Sequence, residues 1–62
     1  MREKRLLTAG EAGEYLGLAE QTLRQWASMR KVPCVKLGRA LRFDVRELEE
    51  WIDSNRQPAR NP

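Results

Sequence analysis

The middle of the chain carries basic side chains and no acidic ones. The segment from Gln21 to Phe43 has no aspartate or glutamate, and its cations are Arg24, Arg30, Lys31, Lys36, Arg39 and Arg42. All nine acidic residues lie outside it, although the net charge of the whole chain is only +3. A segment of one sign concentrates positive potential. This pattern predicts a polyanionic partner, and an ordinary basic surface is the alternative.

Amide and hydroxyl side chains accompany these cations, and this combination suits the edges of DNA bases. In the major groove glutamine can form two hydrogen bonds with adenine, and arginine two with guanine. A threonine can instead contact a phosphate, which positions a protein without specifying sequence. The predicted DNA-contacting residues are Gln21, Thr22, Arg24, Gln25, Lys31, Lys36, Arg39 and Arg42. The alternative is the polar exterior of an ordinary surface helix.

Few residues are suited to catalysis or metal binding. The chain has one cysteine, Cys34, and no histidine, so neither an internal disulfide nor a Cys/His zinc site can form. Glu49 and Glu50 are adjacent, and on a helix their side chains diverge. No nucleophile has a recognisable base. We therefore expect a protein that is not an enzyme and has no metal, cofactor or small-molecule ligand.

The length of 62 residues allows one domain at most, and such a domain buries only about 60% of the surface of its unfolded chain. No apolar run approaches the roughly 18 residues of a membrane span. The basic start, residues 2–5, precedes too short an apolar stretch for a signal peptide. One unpaired cysteine fits a reducing compartment. The expected location is the cytoplasm, in association with the nucleoid, with no membrane partner.

Three helices are predicted from their caps and from apolar residues at intervals of three and four. Their ranges are about residues 9–16, 20–29 and 45–54. The first helix begins at a capping box of Thr8 and Glu11 and ends at Gly17, because glycine adopts a left-handed conformation without steric cost. A second capping box, Asp44 with Glu47, begins the third helix. The predicted apolar faces comprise Ala12, Tyr15 and Leu16, then Leu23, Trp26 and Ala27, then Val45, Leu48, Trp51 and Ile52.

A β-hairpin is predicted after the second helix, because the apolar period changes to two. The alternating apolar residues are Val35, Leu37, Leu41 and Phe43. The turn between them comprises residues 38–40, and glycine in its first position permits type II′ geometry. We expect the apolar side chains to face the core, while Lys36 and Arg42 project outward on either side of Arg39 at the tip.

These elements predict a mainly α fold with a small β-hairpin, a winged helix-turn-helix of three helices and a two-stranded wing. In this fold the second helix enters the major groove of DNA. Arg39 at the hairpin tip suits the minor groove, where arginine senses negative potential and width, and an exposed solvated turn is the alternative. The domain is predicted over residues 1–55, and a flexible tail over residues 56–62.

The ordered series of short motifs resembles the excisionase-type helix-turn-helix family, related to the DNA-binding half of MerR-like regulators. The motifs are Leu6-Leu7-Thr8, Glu11-Ala12, Leu16-Gly17-Leu18, Thr22-Leu23-Arg24 with Trp26, Lys31-Val32-Pro33, Val35 to Arg39, Leu41-Arg42-Phe43 and Glu47 to Trp51. Two positions depart from the family's usual pattern. Ala19 replaces a serine or threonine cap, which removes about 1 kcal/mol, and Gly13 replaces an alanine, which weakens the helix by up to about 1 kcal/mol.

The resemblance implies a DNA-binding protein without catalytic activity. Members of the family are excisionases, which bind beside an attachment site, bend DNA and redirect a recombinase, or AlpA-like transcription regulators. The implied partners are double-stranded DNA and, in addition, a site-specific recombinase or further copies of the chain on DNA. An excisionase and a transcription regulator need the same helix and wing, so the sequence does not distinguish between these two functions. A module that docks an acidic protein without DNA is the alternative from another class.

Overall fold

A computed structural model describes residues 5–59. The elements in chain order are β1 (Leu6–Leu7), α1 (Ala9–Leu16), α2 (Glu20–Ser28), β2 (Val35–Leu37), β3 (Ala40–Asp44) and α3 (Val45–Ser54). This mainly helical arrangement with a small antiparallel sheet confirms the predicted winged helix-turn-helix class. Within the described residues no helix is long and apolar enough to cross a membrane. The predicted tail falls partly outside the described residues, and its residues 56–59 are exposed and irregular.

The sheet has three strands in the order β1–β3–β2, one more than the predicted two-stranded wing. Strand β1 pairs antiparallel with β3, with Leu6 opposite Asp44 and Leu7 opposite Phe43. Because β1 has only two residues, it shows no alternation that the sequence pattern could reveal. The extra strand connects the start of the domain to the central strand of the sheet.

The turn between β2 and β3 contains two residues, Gly38 and Arg39, instead of the predicted three. Gly38 has a φ of 63°, the positive value that the first position of a two-residue hairpin turn needs. The opposed pairs are Leu37 with Ala40, Lys36 with Leu41 and Val35 with Arg42. Opposed residues share a face of the sheet, and a shift of one residue moves every side chain to the other face.

The predicted orientation of the hairpin side chains is therefore wrong in part. Lys36 and Arg42 do not project together, because Lys36 lies on the face of Leu41 and Arg42 lies on the other face. Leu41 packs against the core as predicted. Val35 and Leu37 share the outer face with Arg42, although both were predicted to face the core, and Leu37 is 53% exposed.

The core lies between the sheet and the three helices. Its buried apolar residues are Ala9, Ala12, Leu23, Ala27, Val32, Phe43 and Leu48. The largest are Phe43 of β3, Leu23 of α2 and Leu48 of α3, each with no exposed surface. Both tryptophans pack against this cluster and are half-buried, in line with their predicted place on the apolar faces.

The helix caps agree with the sequence at α1 and in part at α3. The Glu11 amide donates to Thr8 Oγ1 at 3.2 Å and the Thr8 amide donates to Glu11 Oε1 at 3.0 Å, which completes the capping box. At α3, Asp44 Oδ1 accepts from the Arg46 amide at 2.9 Å. The reciprocal bond from the Glu47 side chain is not formed among the described residues, so the second predicted capping box is only half present.

The turn between α1 and α2 depends on Gly13. The amide of Gly17, whose φ is 73°, donates to the Gly13 carbonyl, and the Leu18 amide donates to the same oxygen at 2.8 Å. A Cβ atom on Gly13 would lie 2.5 Å from the Leu18 carbonyl oxygen. Glycine is thus required here for close approach.

The buried face of α1 consists of Ala9, Ala12 and Gly13. Tyr15 lies to one side of this face and is 47% exposed, contrary to its predicted place on the core face.

We expect Gly13→Ala to lower the free energy of unfolding by roughly 1–3 kcal/mol, because overpacking against backbone forces α1 and the turn apart. The matched control is Gly10→Ala in the same helix, where the new Cβ would meet the flexible Glu20 side chain at 3.4 Å. This control should raise stability, by no more than about 1 kcal/mol. Urea unfolding followed by tryptophan fluorescence measures both, and equal midpoints for the two variants would contradict the steric argument.

Asp44 joins the start of the domain to α3. Its Oδ2 accepts from Arg5 Nε at 3.0 Å and Nη2 at 2.9 Å, while the Val45 amide donates to the Arg5 carbonyl at 2.9 Å. Asp44 is only 6% exposed, whereas the Arg5 side chain is 62% exposed. The hydrogen bond from Arg5 is the largest effect holding the pKa of Asp44 below its ordinary value, and burial opposes it.

This lowered pKa predicts a loss of stability in acid. The contribution of Asp44 is complete above its unfolded-state pKa of about 3.9 and is lost as the pH falls through the lower folded-state pKa. Asp44→Asn should reduce the urea midpoint at neutral pH and flatten its dependence on pH below about 4. Asp53→Asn is the control, because Asp53 and its partner Arg56 are 70% and 71% exposed. An unchanged acid dependence in Asp44→Asn would refute the assignment.

Candidate nucleic-acid interface

A groove of about 890 Å³ lies between α2, the hairpin and the end of α3. Five cationic residues line it: Arg24, Arg30, Lys31, Lys36 and Arg39. Among the described residues, none that lines the groove is acidic. A concave surface of one charge focuses positive potential more strongly than a flat one does. The groove is therefore the part of the described surface best suited to an extended polyanion.

The groove brings together four of the eight predicted DNA-contacting residues, namely Arg24, Lys31, Lys36 and Arg39. Lys36 lies there because the observed register places it on the core-side face of the hairpin. Arg42 is separated from them by the same register. It is half-buried on the outer face, and its Nη1 donates to the Leu41 carbonyl at 2.9 Å.

The other three predicted residues lie on α2 itself. Gln21 and Gln25 are exposed, and they border a second depression together with Arg24 and Glu20. Residues four positions apart share a helix face, so the two amides form one polar strip that continues from the groove. Thr22 is half-buried, which leaves less of its side chain available than the sequence implied.

An acidic neighbour holds Arg24. Glu20 Oε2 accepts from Arg24 Nε at 3.1 Å and from Nη2 at 2.9 Å. The two side chains are 52% and 59% exposed, and a surface pair of this kind contributes only about 0.3–0.5 kcal/mol. An incoming anion or base edge can therefore displace Glu20 from Arg24 at small cost. Within residues 5–59 no side chain caps the start of α2, whose cap residue is Ala19, as the sequence predicted.

The segment between α2 and the hairpin is held by Trp51 of α3. Its Nε1 donates to the Lys31 carbonyl at 2.9 Å. Its ring meets that of Trp26 edge to face, with centroids 6.3 Å apart and planes at 63°. Aromatic pairs prefer this geometry, since the positive edge of one ring meets the negative face of the other. Trp51 lines the groove, and these two contacts connect α3 to α2 and to the segment before the hairpin.

Arg30 also lines the groove, although it is absent from the predicted DNA-contacting residues. It is exposed and has a φ of 59°, and it is the one described residue other than glycine with a positive φ. Its place in the acid-free segment beside Lys31 was a signal that pointed to it. Its left-handed backbone conformation could not be predicted from the sequence, because residues other than glycine rarely adopt it.

Two short helices joined through a glycine turn, with a hairpin beside the second, define a winged helix-turn-helix protein. A family model described as a helix-turn-helix domain matches residues 6–56, and the chain belongs to this family. The match confirms the family resemblance drawn from the sequence. It supports DNA as the partner, and the family is typically non-enzymatic. Comparisons with curated proteins and with solved structures gave no significant match.

Proposed function

We propose that the chain binds double-stranded DNA sequence-selectively as an excisionase-like recombination directionality factor, an architectural role without catalysis. The observation that carries this proposal is the groove of five cations next to the exposed amides of α2. Phosphates supply most of the affinity of such a surface, and base edges supply its selectivity. The cationic groove can bind phosphates, and the strip of amides on α2 can bind base edges.

In the proposed complex α2 lies in the major groove. Gln21, Arg24 and Gln25 face base edges, while Thr22 contacts a phosphate. Before Arg24 can bind a base it must leave Glu20, whose carboxylate also repels nearby phosphates. This repulsion penalises poses in which the start of α2 rests on the backbone. Glu20 thereby favours insertion of the helix over loose binding along the duplex.

The wing and the segment before it contact the DNA backbone. Lys31 and Lys36 neutralise phosphates from the two sides of the groove, and Arg39 at the hairpin turn enters the adjacent minor groove. Arg42 contributes least, since it lies on the outer face of β3 with one guanidinium nitrogen already bonded. The proposed footprint is therefore narrower on the hairpin than the sequence alone suggested.

An architectural role is favoured by the small size of this footprint. One helix and one hairpin bury little surface on DNA, and a single such module gives limited specificity. Further copies on DNA, or a recombinase bound alongside, would supply the missing affinity and selectivity. A small AlpA-like or MerR-like transcription regulator is the second candidate, because it would use the same surface. Bending of DNA beside an attachment site distinguishes the first role, and altered transcription the second.

The primary test is the salt dependence of DNA binding. Neutralisation of about five phosphates should give a slope of log affinity against log salt near −4 to −5. Fluorescence anisotropy with labelled duplexes from the chain's own genomic neighbourhood, and with scrambled ones, provides the measurement. A slope near zero would contradict an interface built on phosphate contacts. No binding to any duplex at low salt would exclude DNA binding and leave docking of an acidic protein as the function.

Three substitutions separate the proposed roles within the interface. Lys36→Ala should weaken binding to preferred and scrambled duplexes equally and reduce the salt slope by about 1. Gln25→Ala should weaken only the preferred duplex, by roughly 5- to 100-fold. Arg42→Ala removes the same charge as Lys36→Ala outside the groove and should leave affinity within about twofold of wild type. Equal losses for Lys36→Ala and Arg42→Ala would mean that net charge governs binding, and not the groove.

A further inference from the structure

The chain holds an arginine where a helix end ordinarily needs glycine. Helix α2 ends at Ser28, after which the Arg30 amide donates to the Ala27 carbonyl at 3.1 Å and the Lys31 amide to the Trp26 carbonyl at 2.8 Å. These two bonds form a Schellman motif, whose left-handed residue is usually glycine. Arg30 occupies that position with a φ of 59°, a conformation that is strained for any residue with a Cβ atom.

Contacts within the domain do not account for the arginine. The Arg30 side chain is exposed, and it forms no hydrogen bond or ion pair with another residue between positions 5 and 59. A cation does suit the end of a helix, but Lys31 provides one in the next position. The carbonyls of Trp26 and Ala27 are already satisfied by backbone amides. Backbone hydrogen bonds thus stabilise the turn itself, but no side-chain contact in the described part of the chain compensates for an arginine in place of glycine.

The position of Arg30 in the groove provides a reason to retain it. Its side chain lines the groove together with Lys31, beyond the last turn of α2. In a helix-turn-helix complex the start of the recognition helix contacts bases. A residue beyond the end of that helix lies toward the sugar–phosphate backbone. A guanidinium binds a phosphate through two parallel hydrogen bonds, which a lysine cannot do.

We propose that Arg30 is a phosphate-binding residue of the DNA interface and that arginine, instead of the unstrained glycine, is retained at this left-handed position for that contact. The inference rests on the proposed function. It adds a phosphate contact by Arg30 and a loss of folding stability relative to glycine, neither of which the function alone requires. Strained backbone positions of this kind cluster at functional sites, where the surrounding structure holds them in place. Stability and DNA affinity should consequently respond to Arg30 in opposite directions.

The test compares Arg30→Gly with wild type in two measurements on the full chain. Glycine relieves the strain, so the urea midpoint should rise. Affinity for preferred and scrambled duplexes should fall together, by roughly five- to tenfold at about 0.1 M salt, with a salt slope smaller in magnitude by about 1. Because the variant is more stable than wild type, its weaker binding cannot be attributed to unfolding.

Three further variants serve as controls. Arg30→Lys keeps the charge and the strain, and it should bind more tightly than Arg30→Gly with an unchanged urea midpoint. Arg30→Asn tolerates the left-handed conformation without the backbone freedom of glycine, and it should lose affinity as glycine does. Arg46→Ala removes one exposed charge of α3 that does not line the groove and should not reproduce the loss.

The outcomes distinguish this inference from the function on which it rests. If wild type binds no duplex, the proposed function fails and the inference fails with it. If wild type binds and Arg30→Gly binds equally well, the function stands and the role of Arg30 is refuted. A lower urea midpoint for Arg30→Gly would likewise refute the argument from strain.

Discussion

The pairing of β2 with β3 decides which side chains the hairpin presents to the groove. The two-residue turn opposes Lys36 to Leu41, so a cation leaves the sheet on the same face that carries the apolar contacts of the core. Strand β1 pairs with the other edge of β3, where Leu7 opposes the fully buried Phe43. Slippage of either pair would move Phe43 out of the core. Burial of one phenylalanine thus fixes the position of a lysine on the opposite edge of the sheet.

Local signals in the sequence predicted the helices well, because caps act within a single turn. Thr8, Glu11 and Gly17 set the bounds of α1 through hydrogen bonds and a left-handed φ that depend on residue type. Strand β1 depends instead on a partner far along the chain, and two residues are too few to show a period. The prediction for Tyr15 was wrong because the residues that α1 buries are Ala9, Ala12 and Gly13, and Tyr15 lies to one side of the face that they form.

The composition of the candidate site was predictable, and its geometry was not. The absence of acidic residues from positions 21–43 identified the segment that supplies all five cations of the groove. Turn length, however, does not follow from the apolar alternation, although glycine in the first position is typical of a two-residue type II′ turn. That single residue of difference separates Lys36 from Arg42. Arg30 was missed for a different reason. Its left-handed conformation is imposed by the connection between the end of α2 and the buried Val32, and arginine itself has no preference for it.

The distribution of charge gives the domain one side on which a polyanion can bind. The acidic residues of α3 are all exposed, at Glu47, Glu49, Glu50 and Asp53, and none of them lines the groove. The small net charge of +3 therefore conceals two surfaces of opposite sign. DNA that approaches α3 is repelled, and DNA that approaches the groove is attracted, so the field orients the domain before contact. For the proposed DNA complex this orientation excludes most non-productive poses before contact, and it should therefore raise the rate of association.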